Sequence, residues 1–233
     1  MTLSQFTAMT ALAAAATLAP NLAHAAQIFA TSYDTPNGDG NNTGGSFNYW
    51  DLSYNGVGST TTDGAALSGG LGDLTDGVIA NDTWFNLENI AGTGPYVGWN
   101  SASSLNPKLT FNFAGNPNIA QIKFYFDDSA AGGVFAPDAI WIDGLNTAYT
   151  PPPIGGLPLL TVDLAGLSLT GNQHNIQFFQ RNGGNSTWTF VSEIEFFSGS
   201  AVPEPANWAL MLAGFGLVGG AVRRKQRALV SCA

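Results

Sequence analysis

Side chains able to do acid–base or nucleophilic chemistry are few and scattered in this 233-residue chain. Away from the N-terminal segment the only histidine is His174, read in a turn after Gly171 and Asn172. No serine and carboxylate can be ordered around it as a nucleophilic triad. Asp127 and Asp128 are adjacent at the end of an alternating apolar segment. Neighbours on a strand point to opposite faces, so this pair is poorly placed to flank one glycosidic bond. The one cysteine, Cys232, is next to the C-terminus. The body of the chain therefore has no disulfide, no thiol chemistry and too few His/Cys ligands for zinc. No Gly-rich loop follows a strand and opens a helix to cradle phosphate. Asp34, Asn37, Asp39 and Asn41 resemble part of a Ca²⁺ loop but lack the closing bidentate glutamate, so a flexible loop is the better reading. Trp50, Trp84, Trp99, Trp141 and Trp188 would grip sugar rings if exposed, but each is expected in the core. The pattern points to a protein that is not an enzyme.

These residues need a scaffold, and period-two patterning supplies one. Leu109, Phe111 and Phe113 alternate with Lys108, Thr110 and Asn112; Ile122, Phe124 and Phe126 alternate with Gln121, Lys123 and Tyr125. Such alternation marks half-buried strands. Further strands are expected at 139–142, 159–164, 175–181 and 188–197, and earlier ones at 27–32, 47–52 and 96–99. Segments 35–45 and 57–72 are rich in Gly, Ser, Thr and Asn and read as loops. No amphipathic helix stands out between residues 27 and 201. Many short strands without helices predict an all-β, antiparallel β-sandwich of the jelly-roll kind, spanning residues 27–201. That stretch holds 3 basic residues, Lys108, Lys123 and Arg181, against 15 acidic ones. Such a surface repels nucleic acid and anionic lipid and favours bound cations.

The two ends read differently. Residues 9–18 form an Ala-rich apolar core, followed by Pro20 and the small-residue site Ala23-His24-Ala25. This is the order of a secretory signal peptide over residues 1–26, which would engage signal peptidase and the general secretion machinery. At the other end, residues 202–233 run through Pro203, Glu204 and Pro205, an apolar stretch at 206–222, and the basic cluster Arg223, Arg224, Lys225 and Arg227. The prolines keep the chain extended. The apolar stretch matches the shortest run that spans a bilayer as a single transmembrane helix, roughly 17 residues. The basic cluster places its own end in the cytoplasm. The series Pro203, Glu204, Pro205, Trp208, Ala209 resembles the PEP-CTERM sorting signal of Gram-negative bacteria in its Pro-Glu-Pro-x-x-Trp-Ala variant. That resemblance implies processing by an exosortase, a membrane-embedded enzyme. It also implies a precursor held in the inner membrane and delivery to the cell surface or extracellular matrix.

A second resemblance covers roughly residues 46–198. Leu74-Thr75-Asp76-Gly77, then Trp84, then Tyr96-Val97-Gly98-Trp99, and last the strand at 188–197, resemble the discoidin-like, galactose-binding-like jelly roll. It implies one structural Ca²⁺ between the early loop and the final strand. By motif position the side-chain ligands would be Asp76 and Glu193, completed by the carbonyls of Val78 and Ser192. The expected function is binding or organising extracellular polysaccharide without catalysis. The alternatives are a purely structural or adhesive matrix protein and, less favoured, a hydrolase.

Overall fold

The computed structural model describes residues 25–40, 45–154, 157–181, 187–199 and 214–215. The chain divides into two units, Ala26–Gly199, and Met1–Ala25 together with Ser200–Ala233. Of the second unit only Ala25, Gly214 and Phe215 are described. Most of the expected signal peptide, residues 1–24, and most of the expected span at 206–222 therefore lie outside the described residues. Among those that are described, no helix is long and apolar enough to cross a membrane.

Ala26–Gly199 holds two antiparallel sheets with almost no helix. The five-stranded sheet is built on β11 (Trp188–Ser198), which is flanked by β1 (Gln27–Ile28), β4 (Val97–Asn100) and β6 (Asn118–Asp127). Beyond β6 lies β9 (Leu159–Thr170). The six-stranded sheet runs β3 (Ala66–Gly70), β2 (Ala30–Pro36), β5 (Lys108–Phe113), β10 (Gln173–Phe179), β7 (Ala139–Ile142), β8 (Leu145–Asn146).

Alternation does what the sequence asks of it. On β5, Leu109, Phe111 and Phe113 are buried while Lys108, Thr110 and Asn112 face outward. The inner faces of the sheets then meet through aromatic rings. Phe111 lies 4.9 Å from Phe196 of β11, and Phe178 of β10 lies 5.7 and 5.4 Å from Phe124 and Phe126 of β6. These are edge-to-face contacts, each worth about 0.5–1.5 kcal/mol beyond the area buried. Phe111, Phe124, Phe178 and Phe190 are all buried. The arrangement is consistent with a β-sandwich.

Three local expectations are corrected. Residues 47–52 are not a strand: beyond a single bridge at Phe47 the segment is irregular. Asp51 there is buried and accepts hydrogen bonds from Tyr33 Oη of β2 and from the Asp73 amide, so it is held by its side chain rather than along a ladder. The Gly- and Ser-rich Ala66–Gly70 is a strand, because as the sheet edge it pairs only with β2 within that sheet and needs little packing from its side chains. The one α-helix in this unit among the described residues, α1 (Trp84–Leu87), has four residues and buries Trp84, in keeping with a sequence that shows no helical period. His174 sits on β10 and not in a turn.

Candidate functional site

Residues 73–80 lie against β11 at Ser192 and Glu193, with Leu74 buried in the core. Ile194 and Phe196 point into the core, so Glu193, Glu195 and Phe197 point outward. A bulge between Val191 and Glu193 offsets the register there. A 3-10 turn, Asp73–Thr75, leads into Asp76 and Gly77. Gly77 adopts φ +84°, a conformation that favours glycine, and its N–H donates to Glu193 Oε2 at 2.9 Å. The Val78 N–H donates to Asp76 Oδ1 at 2.8 Å, and the Ala80 N–H to Ser192 Oγ at 3.2 Å. The structure thus brings Asp76, Val78, Ser192 and Glu193 into one place. Glu193 is buried, whereas Asp76 and Val78 are exposed. Burial pushes the Glu193 carboxyl up to about 8; the Gly77 N–H opposes this, and Asp76 and Glu195 add to it.

Two further carboxylates, which sequence reasoning missed, stand behind the turn. Asp51 Oδ1 accepts the Asp73 N–H at 3.0 Å, and Ser53 Oγ donates to Asp73 Oδ1 at 2.5 Å. Burial, then the charge of Asp51, raises the Asp73 carboxyl to about 7. The spacing of Asp73 from Asp76 on one turn was the only sequence signal for it. Among the described residues no three of His, Cys, Asp and Glu gather closely enough to hold a metal by themselves.

The remaining candidates have structural employment. Asn37 and Asp39 are buried. Asn37 Oδ1 accepts the amides of Gly38 and Asp51, and Asp39 accepts the Asn100 N–H and the Ser103 hydroxyl. Asp127 accepts the amides of Trp84 and Ser129, and Asp128 that of Ala136. His174 Nδ1 pairs with Asp143 Oδ2 at 2.8 Å. Trp84, Trp99 and Trp188 are core, but Trp50 and Trp141 are only half-buried, which corrects the expectation for those two. The sorting residues Pro203, Glu204, Pro205, Trp208, Ala209, Arg223, Arg224 and Lys225 lie outside the described residues.

Residues 201–225 match the PEP-CTERM protein-sorting motif. Residues 30–138 match the family described as discoidin domain-containing receptor 1/2, DS-like domain. The chain therefore carries a discoidin-like domain followed by a PEP-CTERM sorting motif. Among solved structures it is similar to CpGH89CBM32-5 from Clostridium perfringens in complex with GalNAc-beta-1,3-galactose, at 14% identity over 46% of this chain and 78% of that one, TM-score 0.33. It is similar to the family 32 CBM from C. perfringens NanJ in complex with galactose, at 14% identity over 46% and 80%, TM-score 0.31. Truncated AlyQ with CBM32 and alginate lyase domains matches at 11% identity over 77% of this chain but only 34% of that one, TM-score 0.41. No curated protein matches the chain.

Proposed function

We propose that this is an exported protein, cut by an exosortase and displayed at the cell surface or in the extracellular matrix of a Gram-negative bacterium. There its jelly-roll domain binds or organises polysaccharide without catalysis. The sorting motif at residues 201–225 carries this reading. In sequence, Glu204 stands between two prolines, just ahead of an apolar stretch and a basic cluster, the order that a sorting enzyme acting at the membrane would meet. A non-catalytic role agrees with the geometry of the acids and the histidine. Asp127 and Asp128 hold backbone amides, and His174 is turned toward Asp143.

The Asp76 turn supports a structural Ca²⁺ in the same reading. Asp76, Glu193 and the carbonyls of Val78 and Ser192 form an all-oxygen donor set, the kind Ca²⁺ selects, with water left to complete six to eight ligands. The Glu193 carboxyl, raised by burial and by neighbouring negative charge, is the group a cation would relieve. The ion would supply no chemistry beyond joining the turn to the final strand.

The test of sorting is Glu204→Ala in the native host. The variant should accumulate in the inner membrane as an uncut precursor, while wild type reaches the surface. Normal processing of the variant contradicts the reading.

A further inference from the structure

The two sheets differ on their outer faces, and the six-stranded one has the make-up of a binding surface. Ile140 and Ile142 of β7, and Ile176 and Phe178 of β10, are buried in the core. The residues between them, Trp141, Gln177 and Phe179, therefore point outward. Trp141 and Phe179 form a pair with ring centroids 4.9 Å apart, half-buried on a face that should be polar. Beside them the register sets Gln177 opposite both Trp141 and Lys108, and Thr110 opposite both Asn175 and Asp34. Across β2 the same face opens into a cleft of about 440 Å³ lined by Asp34, Pro36, Ala66, Ser68, Lys108 and Thr110.

The polar groups are held in place. Thr110 Oγ1 donates to Asn175 Oδ1 at 2.9 Å, Gln173 Nε2 to Asn112 Oδ1 at 3.0 Å, and Asn112 Nδ2 to Ser32 Oγ at 3.1 Å. Gln177 Nε2 donates to the Asn106 carbonyl at 3.2 Å. Each amide keeps a further donor or acceptor to offer. Charge decides between occupants. In a stretch with 15 acidic residues against 3 basic ones, the outward positions of β5, β10 and β7 carry no carboxylate at all. The outward positions of β5 and β2 add one cation, Lys108, which makes no ion pair among the described residues, and one anion, Asp34, while at the rim the Asp143 carboxylate is taken up by His174 and the Asn175 N–H. A surface that is neutral overall, rich in amides and hydroxyls and floored by two aromatic rings, fits an uncharged polymer whose rings have an apolar side and a rim of hydroxyls.

We propose that an uncharged polysaccharide chain lies across the outer face of the six-stranded sheet, from Trp141 and Phe179 to the cleft at Asp34 and Lys108. The inference rests on the reading of this protein as a polysaccharide binder and gives that reading a site. The path from β7 to β3 crosses four strand spacings, about 19 Å. That length suits a run of several sugars rather than one terminal residue. Trp141 and Phe179 would stack on the first rings, with Gln177, Asn175 and Thr110 taking hydroxyls beyond them.

The test is affinity electrophoresis of the full chain in non-ionic detergent through gels carrying xylan, galactomannan, pullulan or mixed-linkage β-glucan, with alginate as the anionic comparison. Wild type should be retarded by at least one uncharged polymer and less by alginate. Trp141→Ala should weaken that retardation roughly 30-fold, as loss of an aromatic anchor does. Gln177→Ala, which keeps both rings, should weaken it several-fold, so the site stays testable if Trp141→Ala misfolds. Lys123→Ala, on the other sheet, should leave it unchanged. Retardation that survives both Trp141→Ala and Gln177→Ala overturns the site while leaving the protein a polysaccharide binder. So does loss confined to Trp50→Ala, which moves binding to the loops. Wild type that passes every gel unretarded refutes polysaccharide binding, and the site with it. A dimer in wild type that becomes a monomer in Trp141→Ala makes this face a contact between copies and overturns the proposal.

Discussion

The outer faces of the two sheets are built from the same alternation and end in opposite chemistry. On the five-stranded sheet the outward positions of β6, β9 and β11 carry Lys123, Asp163, Glu193 and Glu195, bound to one another's neighbours. Gln121 Nε2 donates to Asp163 at 2.7 and 2.8 Å, Tyr125 Oη to Glu195 at 2.6 Å, and Lys123 sits 4.9 Å over the Phe197 ring. Part of this face is roofed by the Asp76 turn. The six-stranded sheet presents amides, hydroxyls and two rings instead. A charged, partly covered face serves attachment of a loop. A neutral, preorganised one is what the proposed polysaccharide site would require. The difference teaches that one alternation rule can turn charged groups outward on one sheet and mainly amides and hydroxyls outward on the other.

The largest expected effect tests whether the neutral face is a surface at all. Phe178 and Phe179 are consecutive on β10 and point to opposite sides. Phe178→Ala should cost about 3–5 kcal/mol in chemical denaturation, since its ring is fully buried. Phe179→Ala should cost less than about 1.5 kcal/mol, because its ring is only half-buried, on the outer side of the sheet. Equal costs would mean that the second face is buried too, and the comparison collapses.

Next comes the covered face. If Ca²⁺ joins the Asp76 turn to β11, calcium at a hundred times its dissociation constant stabilises wild type by about 2.7 kcal/mol, seen as a rise of several degrees in Tm. Glu193→Ala and Asp76→Ala should abolish most of the rise. Asp163→Asn, on the same face but outside the turn, should keep it. Asp39→Ala should keep it as well, although losing two hydrogen bonds lowers its starting Tm. An identical wild-type Tm in calcium and in chelator removes the ion.

A smaller effect is pH-dependent. Glu193 and Glu88 are raised from 4.5 to about 8, and Asp73 from 3.8 to about 7, all chiefly by burial. Between the unfolded and folded values the native state holds more protons than the unfolded one, so stability falls as pH rises. In chelator, Tm should decline from pH 5 to pH 8.5. Glu193→Gln should flatten the decline in part, and calcium should oppose it most at the alkaline end, where Glu193 is ionised. A Tm that climbs over this range contradicts the burial of these groups.

Much of this was legible in the chain because alternation survives folding. Leu109, Phe111 and Phe113, or Ile122, Phe124 and Phe126, announce both a strand and its buried side. The same rule already put Trp141 outward between Ile140 and Ile142, yet its size argued for the core. Its half-exposure shows that the position's parity outweighed the residue type. What alternation cannot show is where polar side chains go when they bond to backbone. Asn37 and Asp39 read as loop residues and Asp51 as part of a strand, and all three proved to be buried fasteners, with partners up to 64 residues away. β3 was hidden because an edge strand of Ala, Leu, Ser and Gly needs almost no side chains to pair. The approach of Asp76 to Glu193 was visible only by resemblance, as 116 residues separate Gly77 from Glu193.

Neither face matters outside the cell unless the domain gets there, and that is the central claim. Intact mass of the protein recovered from the surface of its native host tests it most directly. The mature chain should begin near Gln27 and end ahead of Arg223, having lost the basic cluster, and the exosortase-deficient host should retain the longer form. Surface protein that still ends at Ala233, in hosts with and without the exosortase alike, contradicts the account.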